Sequence, residues 1–424
     1  MSDRLRSIKE INEKIRKGEA VVLTAKELCD MVRRGEEVRN VDVVTSATCG
    51  VMSGTMAVLS FKVAEKGAFT KAKSVLMNGV PAFPGPCPNE RLGIVDVILY
   101  GTSTSIYNPT RYGGGALIRD LIEGKKVEVR VESIEGKVIE SDITLQEMTY
   151  AKMITTRSCF RNYMAFVNPQ EKPVKSIFSI LEMEGNLKAA SVSGCGEVNP
   201  LEKDPLLKTI GVGTKVLVNK AYGYVIGPGT RATKERPNLS ISADIKGMSS
   251  YYMGQFITSL GPEPFNTIAA AIPVIDEEVL KGVKRIDEEV QLPIADVNNR
   301  EVIGFDNYAK VWQGTDLEVS YNKGVCETCR VSPCPVALYC PTEAFRGKGD
   351  LAKHKCFECG ACTWLCPQGA FKAKLGSIRL GDVEVPVKLR QSCRRRAETL
   401  SEYLKRLIED REFYLSEPSD KIVI

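Results

Sequence analysis

Cys356-Phe-Glu-Cys-Gly-Ala-Cys-Thr-Trp-Leu-Cys-Pro367 is the stretch on which the reading of this chain turns. Its thiols stand at Cys-x2-Cys-x2-Cys-x3-Cys-Pro spacing, which lets three thiolates wrap one iron–sulfur cubane while the fourth reaches a neighbouring one. Gly360 permits the close turn, and Pro367 redirects the chain after the last thiol. A second run lies upstream, Cys326-x2-Cys329-x4-Cys334-x5-Cys340-Pro341, with the same order of events and a longer loop. Crossed ligation groups Cys326, Cys329, Cys334 and Cys366 around one [4Fe–4S] cluster, and Cys340, Cys356, Cys359 and Cys362 around the other. A zinc ribbon of two Cys-x2-Cys knuckles would use four thiols and leave four without a role.

Fourteen of the 424 residues are cysteine, nine of them between Cys326 and Cys393, against a single histidine, His354. Such a chain uses thiols for metal or redox work rather than structural disulfides, and reads as cytoplasmic. One histidine removes most general-base mechanisms and every multi-histidine metal site. His354 reads as a surface residue and Cys393 as a partly buried structural thiol. Hydrophobic residues at 43 % and charged residues at 26 % are the balance of an ordinary globular protein. The longest apolar run, Ile268–Ile275, is far short of a membrane span, and the charged start Met1-Ser-Asp-Arg-Leu-Arg6 does not read as a signal peptide. A net charge of +5, with no basic block beyond Arg394–Arg396, makes nucleic acid an unexpected partner.

The expected fold is α/β in three parts. These are a mixed α/β body over 1–315, a ferredoxin-like two-cluster segment over 320–375, and a β-hairpin with a C-terminal helix over 376–424. Leu5, Ile8, Ile11 and Ile15 recur at helical spacing, and Thr24-Ala-Lys-Glu27 is a capping box for a second helix that stops at Gly35. Val41–Val44 reads as a short strand running into a turn over Thr45–Thr55. A helix over Ala116–Glu123 follows, then strands at Val127–Val131 and Val138–Ile143, and buried strands at Ile177–Leu181 and Val216–Val218. Gly381-Asp382 signals a hairpin, and Ala397, Leu400, Tyr403, Leu404 and Leu407 share one helix face.

Paired low-potential clusters move single electrons, so the body is where a two-electron reduction would be spent. Cys29 reads as core. Cys49, at the expected strand end, would meet free backbone N–H groups that favour a thiolate. Cys87 lies in a proline-rich loop, Cys195 in Ser-Gly-Cys-Gly196, and Cys159 between Arg157 and Arg161, whose charges would favour its thiolate. Tyr112-Gly-Gly-Gly115, with Gly114 at its centre, stands before a helix and could cradle an anion, with Arg111, Arg157 and Arg231 as its candidate cations.

Val41-Asp-Val-Val-Thr-Ser46, the turn from Cys49 to Thr55, Gly113–Lys125 and Thr209-Ile-Gly-Val-Gly-Thr-Lys215 resemble the archaeal homocysteine-biosynthesis, or L-aspartate-semialdehyde sulfurtransferase, family. The fused cysteine segment is similar to the branch called methanogenesis marker protein sixteen, tied to reductive thiolation of sulfoacetaldehyde in coenzyme M biosynthesis. The resemblance implies a sulfurtransferase that turns an aldehyde, sulfide, two electrons and two protons into a thiol and water, with Cys49 carrying sulfur as a persulfide. It implies as partners a small anionic aldehyde, sulfide or another sulfur donor, and a low-potential electron donor. L-Aspartate semialdehyde, giving homocysteine, is the alternative substrate. The family's cysteines fall where this chain has Met52-Ser53 and Val131-Glu-Ser-Ile134, so the resolving thiol stays open among Cys87, Cys159, Cys195 or none. An electron-transfer module and a cluster- or sulfur-delivery scaffold are the rival classes, and a homo-oligomer is plausible on base rates.

Overall fold

The computed structural model describes residues 5–85, 91–161 and 163–424. It is a mixed α/β fold in which two large sheets carry most of the chain and a few helices cover them. No helix among the described residues is long and apolar enough to cross a membrane.

The longer sheet has 14 strands among the described residues. At its heart Val43–Val51 pairs antiparallel with Gly261–Pro273 along its whole length, from Val43 opposite Pro273 to Val51 opposite Phe265. Val22–Thr24 lies parallel to its first three residues only. Thr45-Ser-Ala-Thr-Cys-Gly50 is therefore strand, not the expected turn. Small and β-branched residues fill it, and both its faces are covered, so the polar–apolar alternation that marks a strand is missing. The turn falls at Met52–Gly54 instead, where the Thr55 hydroxyl donates to the Met52 carbonyl at 2.7 Å.

The second sheet has six strands, in the order Val302–Asn307, Gln291–Asp296, Met164–Val167, Ala190–Ser193, Val383–Arg390 and Ser377–Leu380. Its last two strands are the expected hairpin, turning at Gly381 with φ +60°. Val383–Arg390 runs parallel to Ala190–Ser193, so the tail completes a sheet of the body. The helix Arg394–Glu409 then lays Ala397, Leu400, Leu404 and Leu407 on the Val43–Val51 and Gly261–Pro273 strands. Ile177–Leu181 is not a strand. Serines beside it take bonds that a ladder would need: the Phe178 N–H donates to Ser176 Oγ at 3.2 Å, and the Ser176 N–H to Ser259 Oγ at 2.8 Å.

The cysteine-rich segment holds short helices at Lys323–Glu327, Pro335–Tyr339 and Ala361–Leu365 and two two-stranded pairings, Ser320–Tyr321 with Phe371–Lys372 and Phe345–Gly347 with Asp350–Leu351. It is clamped to the body. The buried Arg390 guanidinium donates to the carbonyls of Asp316, Val311 and Leu375 at 2.7, 2.8 and 3.0 Å, over the Trp312 ring. Phe357 packs edge-on against Phe265 and Phe256, with centroids 4.8 and 5.3 Å away. Arg111 donates to Glu343 at 2.9 Å and to the Leu338 carbonyl at 2.6 Å.

Candidate functional site

A cavity of about 350 Å³ opens where the two sheets meet. Thr48, Gly50 and Val51 form part of its floor, with Ser193, Gly194, Gln391 and Ser392 from the second sheet and the chain just beyond it. Arg157, Arg231 and Arg300 stand around it with, among the described residues, a single carboxyl side chain, that of Glu263. The Arg300 guanidinium lies over the Phe178 ring at 4.1 Å, and that of Arg157 over Phe160 at 5.3 Å. Arg157 Nε and Glu263 Oε2 are buried with no hydrogen-bond partner among the described residues. Burial pushes the Glu263 carboxyl up against the opposing pull of the Ser53 hydroxyl and Arg157. Burial also lowers the Arg300 pKa, and the like charges of Arg157 and Arg231 lower it further. Three guanidiniums and one carboxyl side chain in the lining give the cavity an excess of positive charge.

Four thiols gather at or under the floor. Cys159 lines the cavity in a left-handed backbone conformation, φ +57°. The arginines beside it in sequence do not favour its thiolate. Burial and the neighbouring Cys195 raise it, because the Arg157 guanidinium lies over Phe160 and Arg161 donates to the Pro205 carbonyl at 2.9 Å. Cys195 sits at a turn whose glycines are required: a Cβ on Gly194 would fall 2.2 Å from the Tyr308 hydroxyl, and Gly194 has φ +116°. Its sulfur accepts from the Cys49 N–H and donates to the Cys49 carbonyl, both at 3.4 Å. Burial pushes it up to about 11, softened by that N–H and the Thr48 hydroxyl.

Cys49 is fully buried, and its N–H is taken by Cys195 rather than free, contrary to the expected strand-end turn. Burial and a hydrogen bond shared with Cys393 hold its thiol well above the ordinary value. Cys393, given no role from sequence, is the acidic member. Burial opposes its ionisation, but the Cys49 thiol, the Arg396 charge and the Arg396 N–H together bring it below the ordinary value. The signal was present in Ser392-Cys-Arg-Arg-Arg396, a thiol at the N-cap of a helix that opens with three arginines.

Arg157 and Arg231 therefore share one cavity, and Arg300 joins them without a distinguishing sequence signal beyond the turn at Asn298-Asn299. Arg111 and Gly114 do not line it. Arg111 is the clasp on Glu343, and the glycine run spends its N–H groups inside the protein: Gly113 on Gln255, Gly114 on the Ser103 carbonyl, Gly115 on the Gly101 carbonyl. Gly114 is required for packing, since a Cβ there would lie 2.1 Å from the Tyr100 carbonyl oxygen. Cys29 is buried, accepting from Lys203 Nζ at 3.0 Å. His354 is exposed, and Cys87 lies outside the described residues.

Cys326, Cys329 and Cys334 line a small apolar pocket together with Cys366 of the other run, between Phe345 and Phe371. Cys340 lies close enough to Cys356, Cys359 and Cys362 to add to the upward push that burial gives each of those thiols. Among the described residues no three or more His, Cys, Asp or Glu side chains converge as a single-ion site. Two groups of four soft sulfur donors suit iron–sulfur chemistry by donor type.

The model of a homocysteine biosynthesis enzyme family, described as sulfur-incorporating, matches residues 20–415, across the body, the cysteine segment and most of the tail. An uncharacterized protein of Methanothermobacter thermautotrophicus is 49 % identical over 97 % of this chain and 94 % of its own length. Another uncharacterized protein, from Methanocaldococcus jannaschii, is 41 % identical over 93 % of this chain and 99 % of its own. An L-aspartate semialdehyde sulfurtransferase of Methanocaldococcus jannaschii is 32 % identical over 75 % of this chain, a match spanning 64 % of that enzyme. No solved structure matches. This chain, matched from residue 20 to residue 415 and holding a cavity lined by three arginines and Cys159, belongs to the homocysteine biosynthesis family of sulfur-incorporating enzymes.

Proposed function

We propose that this chain catalyses the reductive thiolation of a small anionic aldehyde, R–CHO + H2S + 2e⁻ + 2H⁺ → R–CH2–SH + H2O. If the sulfur arrives as sulfane sulfur, two further electrons and protons are consumed. The observation that carries the reading is the cavity, where Arg157, Arg231 and Arg300 face a space whose wall is Cys159 and whose floor is the backbone flanking Cys49, Cys195 and Cys393.

The guanidiniums hold the substrate's anionic group, and Cys159, kept protonated by burial, faces the same space and is placed to protonate the carbonyl oxygen. With a persulfide or polysulfide donor, Cys49 takes the donor's outer sulfur as a persulfide while the shortened donor leaves as thiolate, and the terminal atom adds to the aldehyde carbon; with sulfide itself as donor, hydrosulfide adds to the aldehyde directly and no persulfide forms. When bound by the two cysteine quartets, a pair of [4Fe–4S] clusters supplies electrons singly from a low-potential donor. Crossed grouping in space, Cys366 with the first run and Cys340 with the second, supports that reading over a zinc ribbon.

Three guanidiniums suit the three-oxygen tripod of a sulfonate, which favours sulfoacetaldehyde and hence coenzyme M as product. Glu263 favours the second reading, L-aspartate semialdehyde to homocysteine, because that substrate carries an ammonium that a buried carboxylate would meet. The L-aspartate semialdehyde sulfurtransferase relative points the same way.

The deciding experiment is an anaerobic assay of reconstituted protein with reductant and, in separate arms, sulfide or polysulfide, each aldehyde supplied separately and thiols identified by mass. Coenzyme M formation unaffected by Glu263→Gln establishes the first reading. Homocysteine formation that falls at least tenfold in Glu263→Gln establishes the second. Neither thiol, from protein with intact clusters, overturns both in favour of an electron carrier.

A further inference from the structure

Beyond residue 45 the outer edge of Val43–Val51 is free of Val22–Thr24, and the chain at Gln391–Cys393 adds to it. The Val51 N–H donates to the Gln391 carbonyl at 3.1 Å and the Cys393 N–H to the Cys49 carbonyl at 3.0 Å, with Gly50 opposite Ser392 in an antiparallel bridge. That register sets Cys49 directly opposite Cys393. Residues so opposed have Cα atoms about 5 Å apart, within the roughly 4.4–6.8 Å that a disulfide spans. Both are free thiols, and each is close enough to shift the other's ionisation.

The pair stands between the cavity and one cysteine quartet. On one side the backbone that carries it, through Gly50 and Ser392, is cavity floor. On the other side Arg396 connects it to the quartet. The Arg396 N–H and charge act on Cys393, and its guanidinium donates to the carbonyls of His354 and Cys356 at 3.0 and 2.7 Å.

We propose that Cys393 is the resolving thiol for sulfur carried on Cys49, and that the Cys49–Cys393 disulfide so formed lies where a cluster held by Cys340, Cys356, Cys359 and Cys362 would supply the electrons that reset it. The proposal rests on the sulfur-transfer reading above, with a persulfide or polysulfide as donor. In the resolving step Cys49–S–S–X + Cys393–S⁻ → Cys49–S–S–Cys393 + X–S⁻, where X is hydrogen or the hydroxyalkyl group of the added aldehyde. The bond from Cys49 Sγ to the outer sulfur breaks, the Sγ–Sγ bond forms, and the outer sulfur leaves with the electron pair. In the reset, Cys49–S–S–Cys393 + 2e⁻ + 2H⁺ → two thiols, the electrons coming one at a time from the low-potential donor. The acidity of Cys393 suits it to attack as thiolate, and Cys49, the weaker acid, retains its transferred sulfur until then.

The test uses the full reconstituted chain and inorganic polysulfide without aldehyde. After reaction it is acid-quenched, alkylated in denaturant, digested and analysed by mass. Wild type is expected to release hydrosulfide and yield the Cys49–Cys393 cross-linked peptide. Cys393→Ser and Cys393→Ala are expected to retain one extra sulfur on Cys49, at least tenfold above wild type, and Cys195→Ser to behave as wild type. Reduced methyl viologen should then restore two thiols per chain in wild type, and at least tenfold more slowly in Cys356→Ser. A stable persulfide in wild type, a cross-link to Cys195 instead, hydrosulfide release by both Cys393 variants at the wild-type rate, or equal reset in Cys356→Ser overturns the proposal. If the cross-link forms and resets but no aldehyde yields a thiol, the substrate reading falls while the pair stands.

Discussion

Replacing Arg300 by methionine separates the stability of the fold from the affinity of its anion site. The guanidinium makes two kinds of contact, stacking over Phe178 and Phe166 and like-charge proximity to Arg157 and Arg231. Stacking contributes on the order of 0.5–2 kcal/mol, and repulsion from two nearby cations in the ligand-free protein works against it. Methionine keeps the apolar contact with both rings, so ligand-free stability should move by less than about 1 kcal/mol. Binding should suffer much more, because a charge-assisted hydrogen bond contributes about 1.5–3 kcal/mol. A loss of about 2 kcal/mol is roughly 30-fold in Kd. Isethionate, an unreactive sulfonate of the size of sulfoacetaldehyde, is a suitable probe. At 100 times the wild-type Kd it should stabilise wild type against denaturant by about 2.7 kcal/mol, and Arg300→Met by only about 0.9 kcal/mol. Calorimetric titration supplies Kd, and denaturant unfolding with and without isethionate supplies the rest. Equal isethionate affinity in wild type and Arg300→Met would refute the assignment of this cavity as the anion site.

Glu197 is pulled down to about 2: burial opposes its ionisation, and Arg394, Arg33 and Lys203 overcome that penalty. A lowered carboxyl stabilises the fold above its ordinary value near 4.5 and loses that contribution as pH falls toward 2. Glu197→Gln should thus cost on the order of 3 kcal/mol in denaturant unfolding at pH 7, with the deficit shrinking below pH 4.5. Cys366→Ser should lower bound iron from about eight to about four atoms per chain after reconstitution, and Cys362→Ser should remove the other half. Loss of all iron from either variant would argue against two separate quartets.

Much of the architecture could be read from local pattern. Helical spacing of apolar residues placed the helix at Ile8–Lys17, a capping box placed the one at Ala25–Arg33, apolar alternation placed Val127–Ser133, and Gly381 placed the tail hairpin. These signals act within a few residues, through caps, period and turn chemistry. Two errors share a cause. Thr45–Gly50 is strand because Gly261–Pro273 and Gln391–Cys393 flank it, partners more than 200 residues away. Ile177–Leu181 is not strand because serines on either side and Ser259 absorb its hydrogen bonds. Intrinsic strand preference is weaker than either effect.

The site divides along the same line. The cysteine runs are local and their spacing is legible, whereas the cavity is assembled from Arg157, Arg231, Glu263 and Arg300, each ordinary in its own neighbourhood. Cys393 is the instructive case. Sequence shows a thiol before three arginines, which by itself is as consistent with a structural cap as with a nucleophile. What distinguishes it is a bridge of 342 positions between Gly50 and Ser392, which puts its sulfur opposite Cys49. The tail helix that supplies Arg396 is also what buries the pair, so acidity, pairing and proximity to Cys356 are produced by one docking event. Such a thiol would lose all three properties together if the tail helix failed to dock, while the local motif that marks it in sequence would remain.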